Sequence, residues 1–171
     1  MVIKGAMSNR TKKIEVTIRK ADENDIPLIH KFINELAEFE KLSDLVIATE
    51  QNLRENIFGK KPYAEIIIAE IDKRAIGFAL FFHNYSAFLG KPGLYIEDLY
   101  VSADYRGEGV GRMLLAHCAK IAKERNCGRL EWSVLKWNPA HHLYDKIGAE
   151  AMEEWLLYRI SGDKLDDLAG D

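Results

Sequence analysis

The chain of 171 residues has the length of one domain, or at most of two small ones. Its hydrophobic fraction of 47% and charged fraction of 30% are ordinary for a globular protein and allow one sizeable core. Because 24 basic residues stand against 27 acidic ones, the net charge of -3 disfavours a general binder of nucleic acid or anionic membranes. Two cysteines, Cys118 and Cys127, exclude a disulfide framework and a four-thiolate zinc site, so we expect a cytoplasmic location.

The sequence predicts neither a membrane-spanning segment nor a secretory signal. The longest apolar stretch, residues 75–82, is far shorter than the roughly 20 residues that a membrane-spanning helix needs. Residues 1–13 are basic but lack an apolar stretch, and we interpret them as a flexible leader. No linker or internal repeat divides the remainder, so residues 14–171 are predicted to form a single domain.

Alternation and helical periodicity predict a mixed α/β fold with the element order β-α-α-β-β-β-α-β-α-β. The first predicted helix has apolar residues every three or four positions, with caps offered by Asp22 and Asp25. Predicted turns lie at 72–74 and 91–93. Strands are predicted at 14–21, 63–71, 75–85, 94–101, 129–135 and 155–160, and helices at 25–39, 49–58, from the end of the turn 106–111 to about 125, and at 139–147.

The most informative segment is residues 94–115, where a buried strand runs into a glycine-rich turn and then directly into a helix. Residues 107–111 carry a glycine at every second position, which lets the backbone approach a ligand closely. The first-turn N–H groups of the following helix favour an anion, and the flanking Arg106 and Arg112 would add charge-assisted hydrogen bonds. The segment therefore predicts a pyrophosphate cradle, with a tight turn that binds no ligand as the alternative.

The glycine spacing distinguishes this cradle from two other phosphate-binding loops. The third glycine comes one position too early for the G-x-G-x-x-G turn of dinucleotide-binding domains. A Walker loop is excluded because no Lys-Ser/Thr pair follows. The string RGEGVG resembles instead the acetyl-CoA-binding turn of the GNAT acetyltransferase superfamily.

Further strings extend this resemblance over about residues 14–160. They are NELAEFEKLSDLV at 34–46, LYIEDLYV at 94–101, DYRGEGVG at 104–111 and KWNPAHHLYDKIGAE at 136–150. Together they resemble the diamine acetyltransferase family, and AEFEKLSD is nearer to its thialysine-acetylating branch. The resemblance implies a GNAT-like, mostly antiparallel central sheet flanked by helices, and a homodimer.

Acetyl transfer to an amine needs a group that removes a proton, because an alkyl ammonium with a pKa of about 10.4 arrives protonated. Glu97 lies within an otherwise apolar predicted strand, where a charge is costly unless paired, and alternation places it on one face with Tyr95 and Leu99. The resemblance implies that Glu97 contacts the amine and aids its deprotonation; the alternative is a solvated charge. It also implies that Tyr144 protonates the departing thiolate; the alternative is a core or interface tyrosine.

The spacing between Asn138 and Tyr144 departs from the family pattern. The family has one more residue between the matching Asn and Tyr, whereas the offset from Ala140 to Tyr144 is unchanged. The missing residue therefore lies between Asn138 and Ala140. We expect Pro139 to begin a helix with Asn138 as its cap, which keeps Tyr144 in register.

The remaining site residues follow from the resemblance. The strand residues at 99–101 are expected to bind the acetyl and pantetheine amides through their backbone groups. The expected residues for acetyl-CoA are Leu99, Tyr100, Val101, Arg106, Gly107, Glu108, Gly109, Val110, Gly111, Arg112 and Asn138. The expected residues for the amine are Phe39, Glu40, Glu97, Glu131, Trp132 and Ser133. Among these, Glu40, Glu97 and Glu131 would form an acidic pocket for a small cationic amine, although a solvated surface is the more common position of Glu.

The sequence predicts an acetyl-CoA-dependent N-acetyltransferase without a metal. His141 and His142 are adjacent on a predicted helix and cannot chelate one metal in the i, i+4 manner. The expected substrate is a polyamine or a lysine-like amino acid, acetylated by direct transfer in a ternary complex, and neither nucleic acid nor a membrane is an expected partner. Two alternatives stay open, namely acetylation of a protein or peptide amine and a non-catalytic CoA-binding regulatory module.

Overall fold

The computed structural model describes residues 5–7 and 14–170 of the chain. These residues divide into two compact units, one ending at Asn138 and one beginning at Pro139. The first unit contains strands β1 (Gly5–Met7), β2 (Ile14–Lys20), β3 (Glu65–Ile71), β4 (Arg74–Ser86), β5 (Lys91–Val101) and β6 (Leu130–Trp132), and helices α1 (Ile26–Glu40), α2 (Glu50–Ile57) and α3 (Val110–Glu124). The second unit contains α4 (His141–Lys146) and α5 (Asp163–Ala169).

The first unit is built on one six-stranded sheet in the order β1-β2-β3-β4-β5-β6. Neighbouring strands are antiparallel except β5 and β6, which run parallel. Parallel neighbours need a crossover connection, and α3 lies between these two strands in the chain. The prediction of a mixed α/β fold with a mostly antiparallel sheet and flanking helices is therefore confirmed.

Helices α1 and α2 cover one face of the sheet, here called the α1 face. Phe32 of α1 stacks on Phe78 with ring centroids 5.8 Å apart and lies 5.6 Å from the ring of Tyr100. The buried residues of α3, such as Leu114 and Cys118, lie outside this cluster, and α3 packs on strands β2 to β5 across the opposite face. The two helical layers thus enclose the sheet from both sides.

The start of α1 is fixed by an ion pair in addition to capping. Asp22 caps a short 3-10 helix before α1, whereas Asp25, the N-cap of α1, makes no side-chain cap hydrogen bond. Instead, the two carboxylate oxygens of Asp25 accept hydrogen bonds from Arg19 of β2 over 2.6 and 2.7 Å. Because of these bonds, the pKa of Asp25 lies below its usual value.

The predicted turn at 91–93 is wrong because β5 begins at Lys91 and includes Pro92. Lys91 pairs with Ser86 across the hairpin, and the turn before it ends at Gly90, which has a φ of 62°. Pro92 has no N–H to donate, but its carbonyl accepts a hydrogen bond from the backbone N–H of Gly128 over 2.8 Å. A proline is thus accommodated near the start of the strand.

The predicted last strand at 155–160 is also wrong, since the second unit contains no strand among its described residues. The apolar run in this segment has strand-like composition, but a strand requires a neighbour with which to pair. Trp155, Leu156, Leu157 and Tyr158 are instead 71–86% exposed. α5 follows them and was not among the predicted helices.

Other bounds shift by a few residues. β6 is shorter than the predicted strand at 129–135, and Gly5–Met7, within the predicted leader, forms β1 against β2. The helix predicted from Pro139 begins at His141 with Ala140 as its N-cap, so the prediction of Asn138 as the cap is wrong. None of the helices in the described ranges is long and apolar enough to cross a membrane.

Candidate active site

A β-bulge in β5 gives Glu97 a special position. β4 pairs Leu80 with Asp98 and Phe81 with Ile96, which leaves Glu97 as the extra residue on β5. Directly opposed residues project on the same side of an antiparallel sheet. Asp98 therefore shares the α1 face with Leu80, whereas Ile96 and Phe81 lie on the opposite face.

This bulge overturns the predicted alternation, in which Glu97, Tyr95 and Leu99 share one face. Tyr95 opposes Phe82, with ring centroids 5.2 Å apart, and lies on the α1 face. Leu99 opposes Ala79 and lies on the other face. Strict alternation of side chains between the two faces fails at a bulge. The extra residue shifts the alternation by one position, so residues beyond it lie on the opposite face from the one predicted.

Three carboxylates lie close together near the bulge. Glu97 is exposed, whereas Asp98 on β5 and Glu40 at the end of α1 are half-buried. Burial first, and then the charges of Glu97 and Glu40, raise the pKa of Asp98 to about 6. Burial also raises the pKa of Glu40. The charges of Glu97 and Glu40 are therefore close enough to act on Asp98.

These carboxylates have no cationic partner within the described part of the chain, where none of them forms an ion pair. Over the same residues, no group of His, Cys, Asp and Glu is arranged to hold a metal ion. The sequence pattern does not identify Asp98 as a site residue, because alternation places it on the face opposite to Glu97. Its position beside Glu97 in an otherwise apolar strand was the signal that could have identified it.

Glu131, predicted to bind the amine, has its charge balanced by a neighbour. Arg129 Nε lies 2.8 Å from Glu131 Oε2, and Asn84 Nδ2 donates to the same oxygen over 2.9 Å. Glu131 pairs with Tyr95 across the parallel strands, which places it on the α1 face as well. Nearby, the hydroxyls of Tyr95 and Ser133 lie 2.7 Å apart.

β5 and β6 separate beyond their short parallel pairing, and we call this gap the fork. The last paired residues are Ile96 and Trp132, whereas β5 continues to Val101. The backbone of residues 97–101 therefore has no partner in β6. It includes residues 99–101, which are expected to bind the acetyl and pantetheine amides. Trp132, another predicted amine contact, lies on the face opposite to Glu131 because side chains alternate along β6.

The loop between β5 and α3, called the cradle loop, has the backbone geometry expected of an anion site. Gly107 and Gly109 have φ values of 80° and 85°, and a Cβ at either position would meet no atom within 4 Å. α3 begins at Val110 with Gly109 as its N-cap and without a side-chain cap. Glu108 and Arg112 are exposed on the two sides of this helix start. The space in front of the first turn of α3 is therefore open to a ligand.

Arg106 connects the cradle loop to α1. Its Nε donates a hydrogen bond to the carbonyl of Val101 over 2.9 Å. Its guanidinium carbon lies 4.1 Å from the ring centroid of Phe39 and 5.5 Å from that of Tyr100. Phe39 in turn packs against Trp137, with ring centroids 5.7 Å apart. The last turn of α1 thus contacts both the cradle loop and the segment after β6.

A cavity of about 570 Å³ lies on the same side of α1 as Arg106. Its lining includes the aromatic residues Phe39 and Tyr100 together with Arg106, Lys31 and Glu38. Tyr100 donates a hydrogen bond from its hydroxyl to a carboxylate oxygen of α1 over 3.0 Å. The cavity therefore combines aromatic walls with charges of both signs.

Tyr144 lies within α4 in the second unit, and its backbone N–H donates to the carbonyl of Ala140 over 3.2 Å. The backbone N–H of Asn138, the last residue of the first unit, donates to the carbonyl of Leu135 over 2.8 Å. The role of Tyr144 as the general acid stays a prediction, as does the contact of Asn138 with the co-substrate.

Comparison with known proteins identifies the family of the chain. The profile of the Acetyltransferase (GNAT) family matches residues 27–149. Thialysine N-epsilon-acetyltransferase of Bos taurus is 37% identical over 167 residues, covering 91% of this chain and 98% of the relative. L-ornithine N5-acetyltransferase NATA1 of Arabidopsis thaliana is 34% identical over 194 residues, covering 86% of this chain and 85% of the relative.

A solved structure has a similar fold. An integron cassette protein of V. cholerae is similar to this chain with a TM-score of 0.76 and 31% identity, covering 91% of this chain and 98% of that protein. The family profile spans more than half of the chain, and the two curated relatives are acetyltransferases that cover most of it. The chain is therefore an N-acetyltransferase and belongs to the Acetyltransferase (GNAT) family.

Proposed function

We propose that this N-acetyltransferase transfers acetyl from acetyl-CoA to a primary amine of a small cationic substrate. The observation that carries the proposal is the set of unpaired carboxylates of Glu40, Glu97 and Asp98 beside the fork. A protonated amine would supply the positive charge that these groups lack. Lysine-like amino acids are the preferred class over polyamines, since relatives are named for thialysine and ornithine.

The cradle loop fits the pyrophosphate of acetyl-CoA. The space in front of Gly107 and Gly109 is open, and the first N–H groups of α3 have no side-chain cap. Arg112 would add a charge-assisted hydrogen bond. The backbone of residues 99–101 would bind the acetyl and pantetheine amides, and acetyl-CoA would supply the acetyl group as a thioester.

The chain's own residues would then move two protons in a ternary complex. Glu97 and Asp98 would hold the ammonium group, and one of the two carboxylates would accept a proton from it. The neutral amine nitrogen would attack the acetyl carbon, forming the C–N bond while the C–S bond breaks. Tyr144 would donate its hydroxyl proton to the departing sulfur and regain one, through solvent, from the nitrogen as the amide forms. The proton held by the carboxylates would be released to solvent.

The proposal is tested by measuring kcat/KM with acetyl-CoA for thialysine, lysine, ornithine, spermidine and putrescine. We expect the lysine-like amino acids to exceed the polyamines by about ten-fold or more. Negligible turnover of all five compounds would contradict a small-amine substrate. In that case, turnover of peptide amines would indicate a protein acetyltransferase, and acetyl-CoA binding without amine-dependent CoA release would indicate a non-catalytic module.

Tyr144 is tested with Tyr144→Phe at saturating acetyl-CoA, where we expect kcat to fall by about 100-fold. Tyr158→Phe is the matched control, because Tyr158 lies in the same unit and is 86% exposed. If kcat of Tyr144→Phe equals that of the wild type, Tyr144 does not protonate the thiolate.

The homodimer and the cytoplasmic location both stay predictions. The first follows from the family resemblance and the second from the low cysteine content. Sedimentation equilibrium tests the first prediction through the molar mass in solution. Cell fractionation tests the second.

A further inference from the structure

The two arginines that flank the cradle loop differ in their surroundings. Both are exposed, and Arg112 lies on the first turn of α3, where an anion can reach it. Arg106 donates its Nε proton to the carbonyl of Val101 and places its guanidinium 4.1 Å from the ring centroid of Phe39. A distance within about 6 Å is typical of a cation–π contact. The two residues are therefore not equivalent ligands for a phosphate.

We propose that Arg106 is a positioning residue for the amine site, a role that rests on the proposed function. Its guanidinium is a rigid plane, so the Nε hydrogen bond fixes the orientation of the face that lies over Phe39. Tyr100 provides a second ring at 5.5 Å on the same guanidinium. Arg106 thereby ties the end of β5 to the last turn of α1.

The consequence for the amine follows from the position of Phe39 in α1. Phe39 is itself an expected amine contact, and Glu40 follows it in the last turn of α1, so the contact with Arg106 fixes one wall of the expected amine site. The charge of Glu40 acts on Asp98 and raises its pKa. Loss of the contact between Arg106 and Phe39 would thus disturb this wall without removing a carboxylate.

Kinetics separate this role from phosphate binding. Arg106→Gln is expected to raise the KM of the amine by about five-fold at saturating acetyl-CoA and to change the KM of acetyl-CoA by less than about two-fold. Arg112→Gln, the matched control, is expected to raise the KM of acetyl-CoA only. Arg106→Lys should fail to restore the amine KM, because an ammonium lacks the guanidinium plane. The proposal is overturned if Arg106→Gln raises only the KM of acetyl-CoA. It is also overturned if the variant raises the KM of both substrates equally.

A second measurement does not require turnover. The unfolding equilibrium constants of Arg106→Gln, Phe39→Leu and the double variant form a cycle, in which we expect a coupling of about three-fold. The cycle of Arg112→Gln with Phe39→Leu should be additive. If the first cycle is additive too, the positioning contact is absent. If it shows coupling while the wild type acetylates no small amine, the contact is present but the proposed function fails.

Discussion

Glu131 and Asp98 lie on the same face of the sheet and differ in their electrostatic surroundings. Glu131 on β6 is held by Arg129 at 2.8 Å and by the amide of Asn84 at 2.9 Å. Asp98 on β5 is flanked by Glu40 and by its neighbour in the chain, both acidic, and its pKa rises to about 6. One carboxylate is thus neutralised within the protein, whereas the other is surrounded by charges of its own sign.

The difference shows how the protein can distinguish a structural carboxylate from one available to a cation. A paired carboxylate gains little from a further positive charge, because its own cation already balances it. A half-buried carboxylate beside like charges is strained in the absence of a cation and relieved by one. The place of Glu131 in the predicted acidic pocket of Glu40, Glu97 and Glu131 stays a prediction, and we expect Asp98 to contribute more to amine binding than the paired Glu131.

The largest expected effect concerns Asp98. We expect Asp98→Asn to lower kcat/KM for the amine by about 100-fold or more, because the variant cannot accept a proton. Glu131→Gln is the comparison variant and should lower kcat/KM by no more than about three-fold. If the two variants lose activity equally, the paired and unpaired carboxylates do not differ in function.

The pH profile provides a second measurement on the same pair of variants. In the wild type, kcat/KM should increase with pH as Asp98 loses its proton with a pKa of about 6. The Asn variant should lack this ionisation, whereas Glu131→Gln should retain it. If kcat/KM of Asp98→Asn still increases with pH near pH 6, another group is responsible for this ionisation.

Asp98→Asn should also stabilise the protein at high pH. Since the pKa of Asp98 in the folded protein lies above its usual value of 3.8, the folded state loses stability as pH rises from about 4 through about 6. Asn removes this cost, so we expect the free energy of unfolding at pH 8 to increase by about 1–3 kcal/mol. Urea denaturation measures this gain, and Asp98→Asn should show none at pH 4. The control Asp44→Asn, at an exposed position, should show none at pH 8.

Glu40 should have a smaller effect, mainly on substrate affinity. Glu40→Gln is expected to raise the KM of the amine by about ten-fold, because one charge that attracts the cation is lost. It should also move the ionisation of Asp98 to lower pH, since the like charge that raises its pKa is removed. Glu38→Gln on the same helix is the control. An unchanged KM and pH profile in Glu40→Gln would separate Glu40 from the site.

The smallest expected effect is that of breaking the balanced pair. Arg129→Gln should lower the free energy of unfolding by about 0.5 kcal/mol, because it leaves Glu131 without its cation. The amine KM should stay within about two-fold of the wild type. The double variant with Glu131→Gln should recover part of the lost stability in urea denaturation. A large loss of activity in Arg129→Gln would show that Glu131 and its partner belong to the amine site.

Local sequence patterns predict the parts of the molecule that depend on neighbouring residues. The spacing of Gly107 and Gly109 predicts a turn before a helix, and both glycines have a positive φ in the structure. The apolar periodicity of residues 25–39 predicts a helix that differs from α1 by one residue at each end. These features are encoded over a few consecutive residues, so one sequence is enough to identify them.

Features that depend on pairing between distant residues are not encoded in this way. The bulge at Glu97 exists because β5 has one residue more than β4 across the same length, and the sequence of β5 alone does not show that. The contact of Arg106 with Phe39 joins a loop to a helix far away in the chain. The apolar run at 155–160 predicts a strand by composition, yet composition does not supply the neighbouring strand.

The fork also has a consequence for the order of folding. β5 and β6 pair over three residues on each strand, and α3 separates them in the chain. Contacts between segments distant in sequence carry a larger loop-closure cost than the hairpin of β4 and β5. We therefore expect β6 to dock after the antiparallel part of the sheet has formed, and its amide protons to gain protection last during refolding.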